Sequence, residues 1–345
     1  MSDMFAPAGA HVLVDGQFGS TGKGALAAWL ALEASAGGVL KNFYGSISSN
    51  GPNSGHTSYF GDRKIVLKQL PTFGVHANLL GEPMPIYLSA GAVIDPEILA
   101  AEAEEHGVKI FVHPNAAIVG EADKQSEQTG SIPNIASTQS GTGAALARKI
   151  YRDPDAVAAN SLSKMPHNVV LQNHRIKTNE RAYFMEVAQG FSLGINSEFY
   201  PHVTSRECTV MQGIADARIP PREVTRTFMS IRTYPIRVGN LGIHSSGGWY
   251  DDQIEVTWEQ LGLEPELTTV TQRIRRVATF SEYQLIDAVR ANDPDFIFIN
   301  FLNYLSQHDQ HELLDSIYQE CRFLGKTVGL IGGYGPKPEH IKRII

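Results

Sequence analysis

Two stretches of this chain carry side chains whose types and spacing suit phosphate chemistry. The first, GQFGSTGKG at residues 16–24, sets four glycines and a lysine between a short apolar run and an Ala/Leu-rich one. A glycine-rich turn from strand to helix binds phosphate for two reasons. Its backbone N–H groups point at the ligand, and the helix N-terminus carries partial positive charge. Gly16, Gly19, Gly22 and Gly24 allow close approach, and Lys23 adds a mobile positive charge. The usual P-loop spacing is not met: Gln17 stands where that pattern has its first glycine, and Gly24 where it has Ser or Thr. A tight turn without a ligand is the alternative. Ser20 is also unexpected, because proton chemistry at this place would call for a carboxylate. The second stretch, NGPNSGHTSYF at residues 50–60, presents His56 in a loop. A lone loop histidine is ordinarily just solvated.

These residues need a frame. HVLVD (11–15) reads as a buried strand, and residues 22–36 read as a helix stopped by Gly37-Gly38. Residues 39–44 read as a second strand, and residues 59–68 as strands around a turn at Gly61-Asp62-Arg63. After a short apolar run at 86–89, Asp95-Pro96 caps a helix that Gly107 ends, and residues 108–112 return as a strand. Near the end, residues 282–290 and 312–323 read as helices, and 296–301 and 328–331 as strands. Strands alternating with helices predict an α/β fold around a central, mostly parallel sheet flanked by helices. Residues 121–140 and 189–221 read as irregular loop subdomains. With no linker or repeat in sight, residues 1–345 are expected to form a single catalytic domain.

Composition narrows the class. The 345 residues are 42% hydrophobic, enough for a substantial core. A formal net charge of −7 argues against a broad nucleic-acid surface but leaves room for a local basic pocket. The two cysteines, Cys208 and Cys321, form no metal spacing and no disulfide framework, which suits a reducing cytosol. No apolar stretch is long enough to span a bilayer, and no signal peptide is evident, so a cytoplasmic protein is expected.

The motifs form a series. GQFGSTGKG, then GPNSGHT, LKQLP (67–71) and AGAVIDP (90–96) follow the order and spacing of the adenylosuccinate synthetase family. Downstream, STQSGTG (137–143), EVAQG (186–190), YPHVTS (200–205), RVGN (237–240), VTQRIRR (270–276) and GGYGPKPE (332–339) are similar to further signatures of that family. The resemblance covers nearly the whole chain, in order. It implies a Mg²⁺-dependent ligase that moves a γ-phosphate to the 6-oxygen of a purine nucleotide and then displaces it with aspartate.

The resemblance also implies site residues. Ser20 and His56 take the catalytic positions, with His56 as the acid that stabilises charge on the transferred phosphate. Thr21, Gly22, Lys23, Gly24, Gly55, His56, Thr57, Arg275, Asn300, Leu302 and Gly335 would bind the nucleoside triphosphate. Ser20, Asn53, Ser137, Thr138, Arg152, Gln189, Thr204 and Gly239 would hold the nucleotide substrate, with Arg152 reaching across a homodimer interface. Val270, Thr271, Arg273 and Arg275 would grip aspartate, where the guanidinium fork suits paired oxygens. Ser20 and the Gly55 carbonyl would face Mg²⁺.

Three departures mark a branch within that family. Ser20-Thr21 replaces the family's Asp-Glu, removing its general base; a serine hydroxyl has no useful basicity near neutral pH. Serine is shorter, leaves room for a 2-amino group on the purine, and can accept a hydrogen bond from it. In IFINFLNYL (297–305), Asn300 and Leu302 replace the pair that reads guanine, so the energy donor is expected to be ATP or dATP. Ser140 replaces the arginine of a third motif, and nothing in the sequence accounts for it. The first two departures resemble the phage 2-amino-2'-deoxyadenylosuccinate synthases, which act on dGMP in making diaminopurine nucleotides; such an enzyme works in the host cytoplasm. The alternatives are an ordinary synthetase using IMP and GTP, a non-catalytic nucleotide-binding homologue, and a small-molecule kinase.

Overall fold

GAHVLVD at the start of the chain is buried at every position, because the strand it forms lies in the middle of a sheet covered on both faces. The computed structural model describes residues 3–129, 135–162, 165–268 and 272–345. In chain order the first half contains β1 (Gly9–Asp15), α1 (Lys23–Ala36), β2 (Phe43–Ser48), β3 (His56–Phe60), β4 (Arg63–Leu67), α2 (Thr72–Leu79), β5 (Ile86–Leu88), β6 (Val93–Ile94), α3 (Pro96–His106), β7 (Ile110–Val112), β8 (Ala117–Ile118), α4 (Glu121–Thr129), α5 (Thr142–Ile150), α6 (Ala158–Ser161) and β9 (Val169–Leu171). There follow β10 (Ala182–Glu186), α7 (Val210–Ala217), β11 (Val224–Arg232), β12 (Ile236–Arg237), β13 (Glu255–Val256), β14 (Arg276–Ala278), α8 (Glu282–Asn292), β15 (Phe296–Asn300), α9 (Gln307–Phe323), β16 (Gly329–Gly333) and β17 (Ile341–Arg343).

The main sheet has the order β17-β16-β15-β11-β1-β10-β2-β5-β7-β9. Its pairs are parallel except β16 with β17. Alternation along β1 divides the core. Leu13 joins Leu26, Trp29, Phe73, Phe184, Phe228 and Phe298 on one face. Val12 and Val14 join Met185, Met229, Ile297, Leu285 and Ile317 on the other. α1 and α2 supply the first face, and α8 and α9 the second. This is the expected mostly parallel α/β architecture. The α3 boundaries also follow the sequence: Asp95 accepts N–H bonds from Glu97 and Ile98, Pro96 opens the helix, and Gly107 closes it with φ 61°.

Four expectations need correction. Residues 121–129 are helical rather than loop. The buried side chains of α4 are Asp123 and Glu127, so it shows no apolar stripe. Asp123 accepts the Gly120 N–H, and Glu127 accepts the N–H groups of Gly141, Gly143 and Ala144 at the start of α5. The 189–221 stretch contains α7, a short helix capped by Thr209. The second strand is Phe43–Ser48, because residues 40–42 form a 3₁₀ turn first. The last long helix starts at Gln307, where Ser306 caps it by accepting the Asp309 N–H.

Candidate active site

In an open parallel sheet, ligands gather beyond the carboxyl ends of the strands. Here the loops after β1, β2, β10, β12, β13, β15 and β16 meet around a cleft of about 650 Å³. Four adjacent strands end on a buried polar residue at this rim: Asp15 on β1, Glu186 on β10, Arg232 on β11 and Asn300 on β15.

Asp15 builds the glycine loop. Its carboxylate accepts the N–H groups of Gln17 (2.9 Å), Gly19 (3.2 Å) and Thr21 (3.4 Å), the Thr21 hydroxyl (2.5 Å) and Lys23 Nζ (3.3 Å). Thr21 Oγ1 also lies 2.6 Å from Ser230 Oγ. Lys23 Nζ donates to Gln189 O at 2.7 Å, which aims it across the cleft floor. Gly22 precedes α1 with φ 96°, and a Cβ there would sit 2.0 Å from Asn300 Nδ2, so only glycine fits. Ser20 is the loop's exposed tip, with φ 55°.

His56 opens β3 and is buried. Its Nδ1 lies 3.3 Å from Asn50 Nδ2 and 3.8 Å from Glu186 Oε2. With the Asn50 amide donating, Nδ1 is the acceptor and Nε2 carries the proton. Burial, reinforced by Lys23, pulls the imidazole down to about 3, so it is neutral. Burial pushes the Glu186 carboxyl up to about 7, against the pull of the Phe73 and Thr72 backbone at the start of α2. Glu186 Oε1 accepts the Phe73 N–H at 2.8 Å.

The opposite wall is cationic. Arg273 and Arg275 line it, and Lys64 lines the cleft from β4. Burial lowers Arg275 to about 10, and it remains charged at neutral pH. Glu266 is the one carboxylate among the described cleft-lining residues. Burial would raise it, but Arg232 and Arg275 hold it below its usual value. The Tyr304 hydroxyl donates to it at 3.2 Å. A surplus of positive charge in a walled cleft suits an anionic ligand.

Most of the residues the sequence singled out come together here. Ser20, Thr21, Gly22, Lys23, Gly24, Asn53, Gly55, His56, Thr57, Thr138, Gln189, Arg273, Arg275, Asn300 and Gly335 all line the cleft. Ser137, Arg152, Thr204, Gly239 and Leu302 do not. Leu302 is fully buried in the core, because Phe301 takes φ 63° and reverses the facing of the residue after it. Asn300 donates to Thr21 O at 3.2 Å and accepts the Phe301 N–H at 2.9 Å, so its amide braces the glycine loop instead of standing free for a base. Phe301, Asn303, Tyr304, Gly335 and Pro336 form that edge. Gly239 packs under the arginine segment, where a Cβ would lie 2.3 Å from Ile274 O. Thr204 gives its N–H to Leu193 O. Ser137 accepts the Gln139 N–H beside the cleft-lining Thr138. Arg152 is exposed at the end of α5. Val270 and Thr271 lie outside the described residues. The sequence reading missed Asp15, Glu186, Arg232 and Glu266. The first three share one legible sign, a polar residue ending an apolar strand.

The fold and the cleft define a parallel-sheet α/β protein whose cleft is lined by a strand–glycine loop–helix unit of the kind that suits phosphate. The family model for adenylosuccinate synthetase matches residues 12–167 and 154–315. The chain belongs to the adenylosuccinate synthetase family, a ligase family. It is 36% identical over 343 residues to the N6-succino-2-amino-2'-deoxyadenylate synthase of Vibrio phage phiVC8, covering 94% of this chain and 95% of that one. A solved structure of the Cyanophage S-2L succinoaminodeoxyadenylate synthetase, bound to dGMP and to dATP as energy donor, superposes with a TM-score of 0.86 at 33% identity, over 97% of this chain and 95% of that one. Adenylosuccinate synthetase from Plasmodium falciparum shares the fold, with a TM-score of 0.76 at 16% identity, over 98% of this chain and 100% of that one.

Proposed function

We propose that this protein joins L-aspartate to C6 of dGMP at the expense of ATP or dATP, yielding 2-amino-2'-deoxyadenylosuccinate, as one catalytic domain spanning residues 1–345. The observation that carries this reading is Ser20: a short, uncharged, exposed residue at the tip of the glycine loop, where the ordinary family member has an acid. An aspartate there would crowd a 2-amino group, whereas the serine hydroxyl leaves room and can accept from it.

Phosphoryl transfer depends on positioning and on charge stabilisation. In this reading the glycine-loop amides, Lys23 and the Nε2–H of His56 gather around the γ-phosphoryl group as it moves to O6. Arg273 and Arg275 hold the aspartate carboxylates while its amino group attacks C6 and phosphate leaves. Asn53, Thr138 and Gln189 face the nucleotide substrate. The edge formed by 300–304 and 335–336 contains no carboxylate to pair with guanine, which supports an adenine donor.

The donor set fits Mg²⁺. Among the described residues no cluster of three or more His, Cys, Asp or Glu side chains could hold a metal. Asp15 is committed to the loop, so the protein offers neutral hard oxygens, the Ser20 hydroxyl and the Gly55 carbonyl, both exposed. That suits an ion held mainly by substrate phosphates and water. Mg²⁺ would add positive charge at the phosphates.

Arg152 lies outside its own chain's cleft, beside the exposed Ile150 and Tyr151. This supports a homodimer in which Arg152 reaches the neighbour's nucleotide. No described helix is long and apolar enough to cross a membrane, which accords with the host cytoplasm as the site of action.

The test is incubation with Mg²⁺, aspartate, ATP or GTP, and dGMP, GMP or IMP, with the succinyl adduct read by mass. Adduct from dGMP with ATP is expected; adduct from IMP with none from dGMP would sink the reading. In the same assay, mixing Arg152→Ala and Lys23→Ala chains should restore some of the activity each lacks.

A further inference from the structure

Arg232 is the largest fully buried side chain of the described residues, and it carries a charge. Burying a guanidinium is costly unless it is paired and hydrogen-bonded. Its partners lie on three separate walls of the cleft. Nη1 donates to Ser20 O at 3.2 Å and to Glu266 Oε2 at 3.1 Å, and Nη2 donates to Glu266 Oε1. The guanidinium Cζ sits 4.1 Å from the Phe301 ring centroid. Its backbone is held as well: its N–H donates to Gln17 Oε1 at 3.0 Å, and Gln17 Nε2 donates back to its carbonyl at 3.2 Å. One residue therefore grips the glycine loop at both Gln17 and Ser20.

Glu266 extends the connection. Its carbonyl accepts the Arg275 N–H at 2.8 Å, and Arg275 Nε donates to Leu267 O at 3.2 Å. Two residues on, the Thr268 N–H donates to Arg273 O at 2.8 Å. The carboxylate that forks onto Arg232 thus belongs to the backbone frame of the two arginines proposed to receive aspartate.

We propose that Arg232 is a positioning residue which, through Ser20 O on one side and Glu266 on the other, couples the aspartate-binding segment to the placement of Ser20. This rests on the proposed substrates and deepens that reading. Aspartate binding to Arg273 and Arg275 steadies Glu266, Glu266 steadies the guanidinium, and the guanidinium fixes the carbonyl of Ser20 in its left-handed conformation. By linkage the effect runs both ways: nucleotide on the glycine loop tightens aspartate. A lysine at this position keeps the charge but has one nitrogen, which cannot serve Ser20 O and both Glu266 oxygens in a plane.

The test compares wild type with Arg232→Lys in two measurements. By calorimetry, dGMP with Mg²⁺ and a non-hydrolysable ATP analogue is expected to tighten aspartate binding at least about fivefold in wild type. In R232K that factor is expected to fall close to one, with kcat down about a hundredfold and the affinity for ATP in the absence of aspartate little changed. A role confined to stability would lower the active fraction and leave the factor intact. By hydrogen exchange of the unliganded protein, R232K is expected to speed the amides of Gly19 and Arg275 together. Retention of wild-type tightening, or faster exchange at Gly19 alone, overturns the coupling. If R232K does not fold, Glu266→Gln, which keeps the Ser20 contact, is read by the same two measurements. Wild-type protein that binds neither dGMP nor aspartate would defeat the functional reading, while the exchange data would still decide whether the bridge exists.

Discussion

Ser20 owes its position to a backbone conformation that non-glycine residues seldom adopt, φ 55°, held by the Asp15 bonds to Gly19 and Thr21 on either side. That conformation turns the hydroxyl outward at the tip of the loop. Serine supplies room and an acceptor but no basicity, so substitution should act on substrate choice. Ser20→Asp is expected to lower kcat/KM for dGMP about tenfold or more while sparing IMP. Steady-state kinetics with both nucleotides check this, and undiminished dGMP turnover would remove the steric argument. Lys23 stood out because a lysine among glycines between a strand and a helix suits phosphate, whereas His56 alone reads as a solvated loop residue and stood out only through the motif series. The burial of Leu302 was not legible, since its facing depends on the left-handed turn at Phe301, and sequence alternation carries no sign of it.

At the level of elements, the site is a row of strand ends. Asp15, Glu186, Arg232 and Asn300 finish four neighbouring parallel strands, and each makes at least one side-chain hydrogen bond to backbone. The loop after β10 presses directly on the glycine loop. A Cβ on Gly190 would lie 2.1 Å from Gly19 N and 2.5 Å from Gln17 O, both backbone atoms that cannot swing aside. Gly190→Ala is therefore expected to displace the glycine loop, destabilise the protein by about 1–3 kcal/mol, and weaken ATP binding by at least about tenfold. Calorimetry and chemical unfolding check this; unchanged ATP affinity would show that the two loops are not in register. α4 escaped sequence reading for a related reason. Its inward residues are acids that bond the amides at the start of α5, so its burial is polar and leaves no apolar period.

For the whole molecule, burial of neutral imidazoles contributes to the response to acid. His11 sits in β1, where the Ala6 N–H donates to its Nε2 at 2.9 Å, a bond that requires the neutral ring. Burial, with Arg226 adding to it, lowers its folded value from 6.5 to about 4. A depressed histidine contributes stability that is present in full above about 6.5 and is lost as pH falls through about 4. His11→Gln, which can still accept from Ala6, is expected to flatten the fall in unfolding free energy between pH 7 and 4 by roughly 3 kcal/mol. Urea titrations of both proteins across that range decide it, and equal slopes would refute it. Glu186 acts in the opposite sense: its raised value means that its share is present below its ordinary range and is lost as pH climbs through about 7.

The sequence by itself determined the alternating α/β order, the glycine loop and its lysine, the limits of α3, and the motif series that marks the family. These follow from local rules of periodicity, capping and turn chemistry, which act within a few residues. Only the tertiary structure decided what the buried polar residues do. The 3.8 Å approach of His56 to Glu186 joins residues 130 apart, and the contact of Arg232 with Ser20 joins residues 212 apart. Their meeting is set by strand order in the sheet, and a parallel sheet brings together strand ends whose distance along the chain says nothing about their distance in space.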